Sequence, residues 1–345
     1  MTITSKPIDG SHHSSTGINS TAHTSSGAIS RSKAMVPAKS RSRILTGIFL
    51  ALLGATLFSL KPILIKIAFQ YGGDTTSIMS LRAISSLPFY LLILILLCRS
   101  NDQRARVKKE GWKAAALGVL GYYCASYLDI EALNTISAQL ERLLLFLFPS
   151  FVVLISWVFL KKKPSKNIVT AVVIGYSGIV LIVAHDVSSF GNEVWVGSAL
   201  AVCSAITFAC YLILSKPVIT TLGSNAFTSI GMGSAGVAIL IHLQLSQADT
   251  TQWSPELVAL GIALGLFCTV IPSYLMAGAM ARLSATEFSL TANIGPVITA
   301  VAAVMVLGEQ FTIFHGVGMV LVIVSVYWMS RPAVTKNRNE EHDKR

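Results

Sequence analysis

Charge is scarce in this chain. Only 12% of its residues are Asp, Glu, Lys or Arg, whereas 53% are apolar, and its mean hydropathy is +0.65. A soluble domain of this size carries about twice that share of charge, so a water-exposed globular protein is excluded and a polytopic helical membrane protein is implied. Cysteine is equally thin. Cys98, Cys124, Cys203, Cys210 and Cys268 all lie inside or at the edges of apolar runs. None forms a C-x-x-C pair, which argues against thiolate metal sites and a disulfide scaffold and leaves them as packing residues.

The net charge is +11, which would suit a nucleic-acid binder if it covered one folded face. Instead Lys and Arg fall in the tails and in short connections between apolar runs. We expect a lipid bilayer as partner and no nucleic acid. Residues 1–42 are rich in Ser, Thr, Gly and His, with too little apolar surface to offset the entropy of ordering them. They are read as a disordered cytoplasmic tail, with His12-His13 incidental. A Ser-rich basic stretch with Asp9 as its one acid also has the composition of an organelle transit peptide. Residues 331–345 form a second charged tail, also expected in the cytoplasm.

Between the tails lie ten apolar spans, at roughly 44–69, 75–98, 112–132, 137–160, 167–185, 194–214, 224–245, 257–280, 284–307 and 313–330. Most approach the roughly 20 residues a helix needs to cross the hydrocarbon core. Of the 27 Lys and Arg residues, all but Lys61, Lys66, Arg82 and Arg142 lie in the tails and in every second connection. Asp74, Asp129, Glu131, Asp186, Glu193, Asp249, Glu256 and Glu309 fall on the other side. By the positive-inside rule both termini are cytoplasmic, in a multi-pass protein of a bacterial inner (plasma) membrane.

The chain also repeats itself. Gly47, Ala51, Ala55, Phe58 and Lys66 align with Gly197, Ala201, Ala205, Phe208 and Lys216. Leu117-Gly118 aligns with Leu264-Gly265, Tyr127 with Tyr274, Ser137-Ala138 with Ser284-Ala285, and Pro149 with Pro296. The units are residues 44–185, with helices 1–5, and 194–330, with helices 6–10. Five is an odd number, so the second copy sits inverted relative to the first, as in many secondary transporters.

Two stretches carry a resemblance. Ser137-Ala138 through Pro149 to Leu160, and Ser284-Ala285 through Pro296 to Leu307-Gly308-Glu309, resemble EamA domains of the drug/metabolite transporter superfamily. Two such domains would cover about residues 44–330. The resemblance implies an all-α membrane protein of ten transmembrane helices in two inverted five-helix repeats. It implies alternating access around a central cavity lined by helices 1, 3, 4, 6, 8 and 9. It also implies export or exchange of a small polar metabolite, amino acid-like or an organic anion. One departure is Lys161-Lys162-Lys163, where the family has Gly-Glu. No cofactor, metal or enzyme activity is expected, and homodimerisation stays open.

Charges and helix breakers inside apolar spans mark the working parts. At about 1.5 Å per residue, Glu141 and Arg142 lie about one turn from the start of helix 4, with Lys61, Lys66 and Arg82 in the same half of the first unit. A structural account pairs Glu141 with Arg82 or Lys61 and lets Lys66 snorkel. A functional account adds attraction of an anionic substrate group, with Glu141 carrying a coupling proton. Pro149 and Pro296 deny a hydrogen bond to the carbonyls of Leu145 and Ala292, and Pro62 and Pro272 act alike in helices 1 and 8. Tyr127, Tyr274, Trp157 and Asn293 are further cavity candidates.

Two enzyme-like motifs compete. Gly231-x-Gly233-x-x-Gly236 fits a dinucleotide fingerprint but lies inside an apolar helix with no preceding strand. Gly175-Tyr176-Ser177-Gly178 resembles the serine motif of intramembrane rhomboid proteases, for which His242, the one histidine well inside a span, would be the base. Neither suits a ten-span repeat. A channel is disfavoured because no ring of charges or filter loop is evident.

Overall fold

The computed structural model describes residues 41–330 apart from 162, 247, 249, 284–286, 289, 290 and 292. Both tails, with His12-His13, lie outside the described residues, as do Lys162, Asp249, Ser284-Ala285 and Ala292. The described chain is helical throughout. Its helices are α1 (Arg41–Ser59), α2 (Lys61–Gln70), α3 (Thr75–Leu97), α4 (Asn101–Gly118), α5 (Ala125–Ala132), α6 (Ala138–Leu145), α7 (Phe148–Leu160), α8 (Lys166–Phe190), α9 (Glu193–Leu222), α10 (Ser224–Leu245), α11 (Pro255–Gly265), α12 (Ile271–Met280), α13 (Gly295–Ala302) and α14 (Ile313–Ser330). Seven helical stretches among the described residues are long and apolar enough to cross a membrane: Ser42–Gln70, Thr75–Leu97, Ala138–Phe159, Lys166–Phe190, Glu193–Leu222, Ser224–Leu245 and Pro255–Met280. Gly295–Leu307 and Ile313–Met329 are shorter apolar helices. The run from Asn101 to Ala132 is continuous but opens with charged residues.

Local chemistry sets the boundaries. Asp74 accepts from the N–H groups of Thr76 and Ser77 at the start of α3. Ser137, Ser165 and Ser254 accept from the N–H three residues on at the starts of α6, α8 and α11, each satisfying a donor the helix leaves orphaned. Pro62, Pro149, Pro272 and Pro296 each occupy the second position of a helical segment, in α2, α7, α12 and α13. There the missing N–H would have had no acceptor within the segment itself. Pro88 and Pro217, by contrast, stand inside α3 and α9.

Packing pairs one half of the chain with the other. Helix α8 lies along α14 and α3 along α10, while α1 packs on α12 as α5 does on α9. Likewise α7 packs on α9 and α13 on α1, and α4 packs on α10 and α11 on α3. Each pair maps onto itself or onto its counterpart when the two halves are exchanged. The exchange extends to irregular features. A π-helical turn, Val119–Cys124, joins α4 to α5, and another, Leu266–Val270, joins α11 to α12. Each follows a glycine at a close crossing. A Cβ on Gly118 would collide with the backbone of Gly231, and one on Gly265 would lie 2.8 Å from the carbonyl oxygen of Arg82. The Gly231 of the fingerprint-like motif is thus a helix-crossing residue.

The ends of α7 and of the π-turn Ala303–Leu307 also correspond. Gly308 has φ 67° and Lys161 has φ 54°, the one non-glycine residue with positive φ among those described. The departure from the family's Gly-Glu pattern therefore places a lysine in the left-handed region that glycine adopts freely.

Candidate functional site

The chain breaks at Leu60, between α1 and α2. Pro62 has no N–H, so the carbonyl four residues back, that of Phe58, loses its helical donor. Arg142 of α6 replaces it: its Nη2 donates to the Phe58 oxygen at 2.6 Å. Thr299 of α13 donates its hydroxyl to the Ser59 carbonyl at 2.8 Å. Side chains from two other helices thus hold the break, as irregular backbone inside a membrane bundle requires.

Lys61 opens α2, and its Nζ meets Asp129 Oδ2 of α5 at 2.6 Å. Asp129 is 3% exposed and Glu141 of α6 is 1% exposed. Their carboxyl groups lie within hydrogen-bonding reach of each other, with Arg142 and Lys61 acting on both. Asp129 Oδ1 and Glu141 Oε2 are buried, and no donor among the described residues reaches either of them. Two carboxyls in this relation bond to each other only when one of them carries a proton. Arg82 of α3 is also buried, with Asp129 the first of the charges that act on it. Lys66 is half-buried within electrostatic reach of Glu309 and Glu141.

Glu309 secures α6 from outside. Its carboxylate accepts from Ala138 N at 2.8 Å, Gln139 N at 3.4 Å and Gln139 Nε2 at 3.2 Å. An anion at a helix N-terminus meets unsatisfied donors and the positive end of the helix dipole. Nearby, Thr75 donates its hydroxyl to Glu131 Oε2 at 2.6 Å.

The structure thus brings Lys61, Arg82, Glu141 and Arg142 together. Lys61 pairs with Asp129, however, and Asp129 stands between it and Glu141. Reading Asp129 only as one of the acids on the side opposite the lysines and arginines misses this. A signal was available, because the buried Ala125, Asp129 and Ala132 share one helical face. Tyr127 lies apart, its ring 5.4 Å from that of His242, and Tyr123 OH meets His242 Nδ1 at 3.0 Å. Tyr274 bonds Ser229 at 3.1 Å and sits 6.1 Å from the ring of Tyr90. Asn293 is half-buried in the turn before α13. Trp157 is 48% exposed, which places it on the bundle's surface.

The protease-like arrangement does not assemble. Ser177 is exposed and donates to the Ile174 carbonyl at 2.8 Å, while His242 is engaged by Tyr123. Gly175 and Gly178 of that motif instead face Ser325 and Gly318 of α14.

Known proteins carry the same pattern. The model of the EamA-like transporter family matches twice, at residues 45–184 and 195–331. The uncharacterized transporter YcbK of Bacillus subtilis is 27% identical over 277 residues, which cover 79% of this chain and 88% of that protein. An uncharacterized transporter of Archaeoglobus fulgidus is 24% identical over 174 residues, covering 50% of this chain and 60% of that one. A solved crystal structure shares the fold at 16% identity, with a TM-score of 0.57 over 83% of this chain and 96% of its own. With both halves matched and the helical architecture in place, this chain belongs to the EamA-like transporter family.

Proposed function

We propose that this protein is a secondary transporter that moves a small polar metabolite, amino acid-like or an organic anion, by alternating access. The observation that carries the proposal is the buried Asp129–Glu141 carboxyl contact, set between Lys61 and Arg142 at a broken helix. Buried charge at an interrupted helix is costly in lipid and marks substrate or ion pathways. Lys61, Lys66, Arg82 and Arg142 there face Asp129, Glu141 and Glu309, and with one proton shared between Asp129 and Glu141 the cluster carries an excess of positive charge that an anionic group of the substrate offsets. A proton held between Asp129 and Glu141 is the natural coupling ion, because its loss leaves two buried carboxylates side by side.

In this reading ten helices form two inverted five-helix units, residues 44–185 and 194–330. Both tails lie in the cytoplasm of a bacterial inner membrane, and the end of the bundle that carries Glu309 faces outward. The substrate and the lipid are its partners, and two copies are able to associate. Breaks at Pro62, Pro149, Pro272 and Pro296 serve as hinges, with Tyr127, Tyr274 and Asn293 lining the path.

Proteoliposomes loaded with candidate amino acids and organic acids test this. Saturable counterflow of one substrate, driven further by an imposed pH gradient, is the expected result. Flux that never saturates indicates a channel, and product formation without flux indicates an enzyme; either outcome removes the proposal.

A further inference from the structure

Away from the charged cluster, α8 and α14 run together with little between them. A Cβ on Gly178 would lie 2.7 Å from the Gly318 carbonyl oxygen, and Ser325 donates to the Ala171 carbonyl at 2.6 Å. One end of this seam holds three residues that neither packing nor the transport reading requires. His185 Nδ1 lies 3.1 Å from Asp186 Oδ1, and His315 Nε2 lies 3.2 Å from the same oxygen. Asp186 is 1% exposed and His315 2% exposed. One donor atom from each of the three falls within 4.8 Å of the others.

We propose that His185, Asp186 and His315 form a binding site for a divalent transition cation of the zinc class. Two imidazole nitrogens and one carboxylate oxygen make a borderline donor set suited to such ions. Around a tetrahedral ion with ligands at about 2.0–2.1 Å, neighbouring donor atoms lie about 3.3 Å apart. The two carboxylate–imidazole separations already have that size. The remaining separation, between the imidazoles, closes by rotation of His185, the more exposed of the two histidines, with a side chain 19% exposed. A water molecule takes the fourth position.

The surroundings hold the ligands as metal sites do. Thr312 Oγ1 sits 2.8 Å from His315 Nδ1; with the cation on Nε2, the Nδ1–H donates to Thr312, the usual outer partner of a metal-bound imidazole. His185 stacks on Phe314 with ring centroids 4.7 Å apart. The cation joins consecutive residues of α8 to α14 and staples the last helix to the first five-helix unit.

The test uses the full chain, purified without a polyhistidine tag and with His12, His13, His23 and His342 changed to alanine so that the tails contribute no histidine ligands. Calorimetric titration with Zn2+ is expected to show one saturable site per chain. Co2+ is expected to give the visible absorption of a four-coordinate ion, and the melting temperature rises with either metal. His315→Ala and Asp186→Asn abolish binding, and Thr312→Val, which leaves all three ligands in place, weakens it roughly tenfold. The variants' metal-free melting temperatures and circular dichroism identify any that fail to fold, and Thr312→Val decides if the ligand variants do. No saturable binding, or binding of equal affinity in the His315→Ala and Thr312→Val proteins, overturns the proposal.

Discussion

Lys61 and Asp129, 68 residues apart in sequence, meet at 2.6 Å inside the bundle, and Asp129 then faces Glu141. The first charged residue of α2 is thereby tied, through one carboxylate, to the acid of α6. A buried charge of this kind depends on its partner more than stability depends on the pair. Asp129→Asn is expected to destabilise the protein by on the order of 3 kcal/mol, because it leaves Lys61 uncompensated. The double variant Lys61→Met with Asp129→Leu recovers most of that loss. Thermal unfolding in detergent measures both, and equal destabilisation by the single and double variants contradicts the pairing.

Glu141→Gln keeps the size of the side chain and its bond to Asp129 but removes the exchangeable proton. Counterflow is expected to persist, while the stimulation by a pH gradient disappears. A variant that follows the gradient as the native protein does excludes Glu141 as the proton carrier.

Lys161→Gly relieves a left-handed lysine, and the expected gain is about 1 kcal/mol, less what glycine loses by its freedom in the unfolded chain. The change is read as a higher melting temperature. Gly308→Lys places the same strain at the matching position and lowers it.

Gly118, at the crossing with Gly231, and Gly233 of the fingerprint-like motif separate cleanly. Gly118→Ala pushes a methyl group into the Gly231 backbone, and overpacking of this sort costs roughly 1–3 kcal/mol. Gly233→Ala meets only Leu91 Cδ2, at 3.9 Å, and is expected to be tolerated. Equal effects on stability contradict the crossing described above.

Much of this was legible because lipid makes some residues conspicuous. A proline or charge inside an apolar run stands out, as Pro62, Pro149, Lys61, Glu141 and Arg142 do. Their partners do not. The acceptor for Arg142 is a backbone carbonyl, which has no letter of its own. The two π-turns depend on a shift of hydrogen-bond register, visible in sequence only as the glycines before them. His185, Asp186 and His315 come from segments that meet only when α8 lies along α14. Asp186, near the end of an apolar span, reads as a surface acid until that packing is known.

Glu309 has one more implication. Its carboxylate answers three donors at once, Ala138 N, Gln139 N and Gln139 Nε2, and Gln139 is buried. Any movement that draws Glu309 away from α6 strands all three in a dry setting unless water enters behind it. Parting these two segments is therefore a wetting transition as much as a hinge motion.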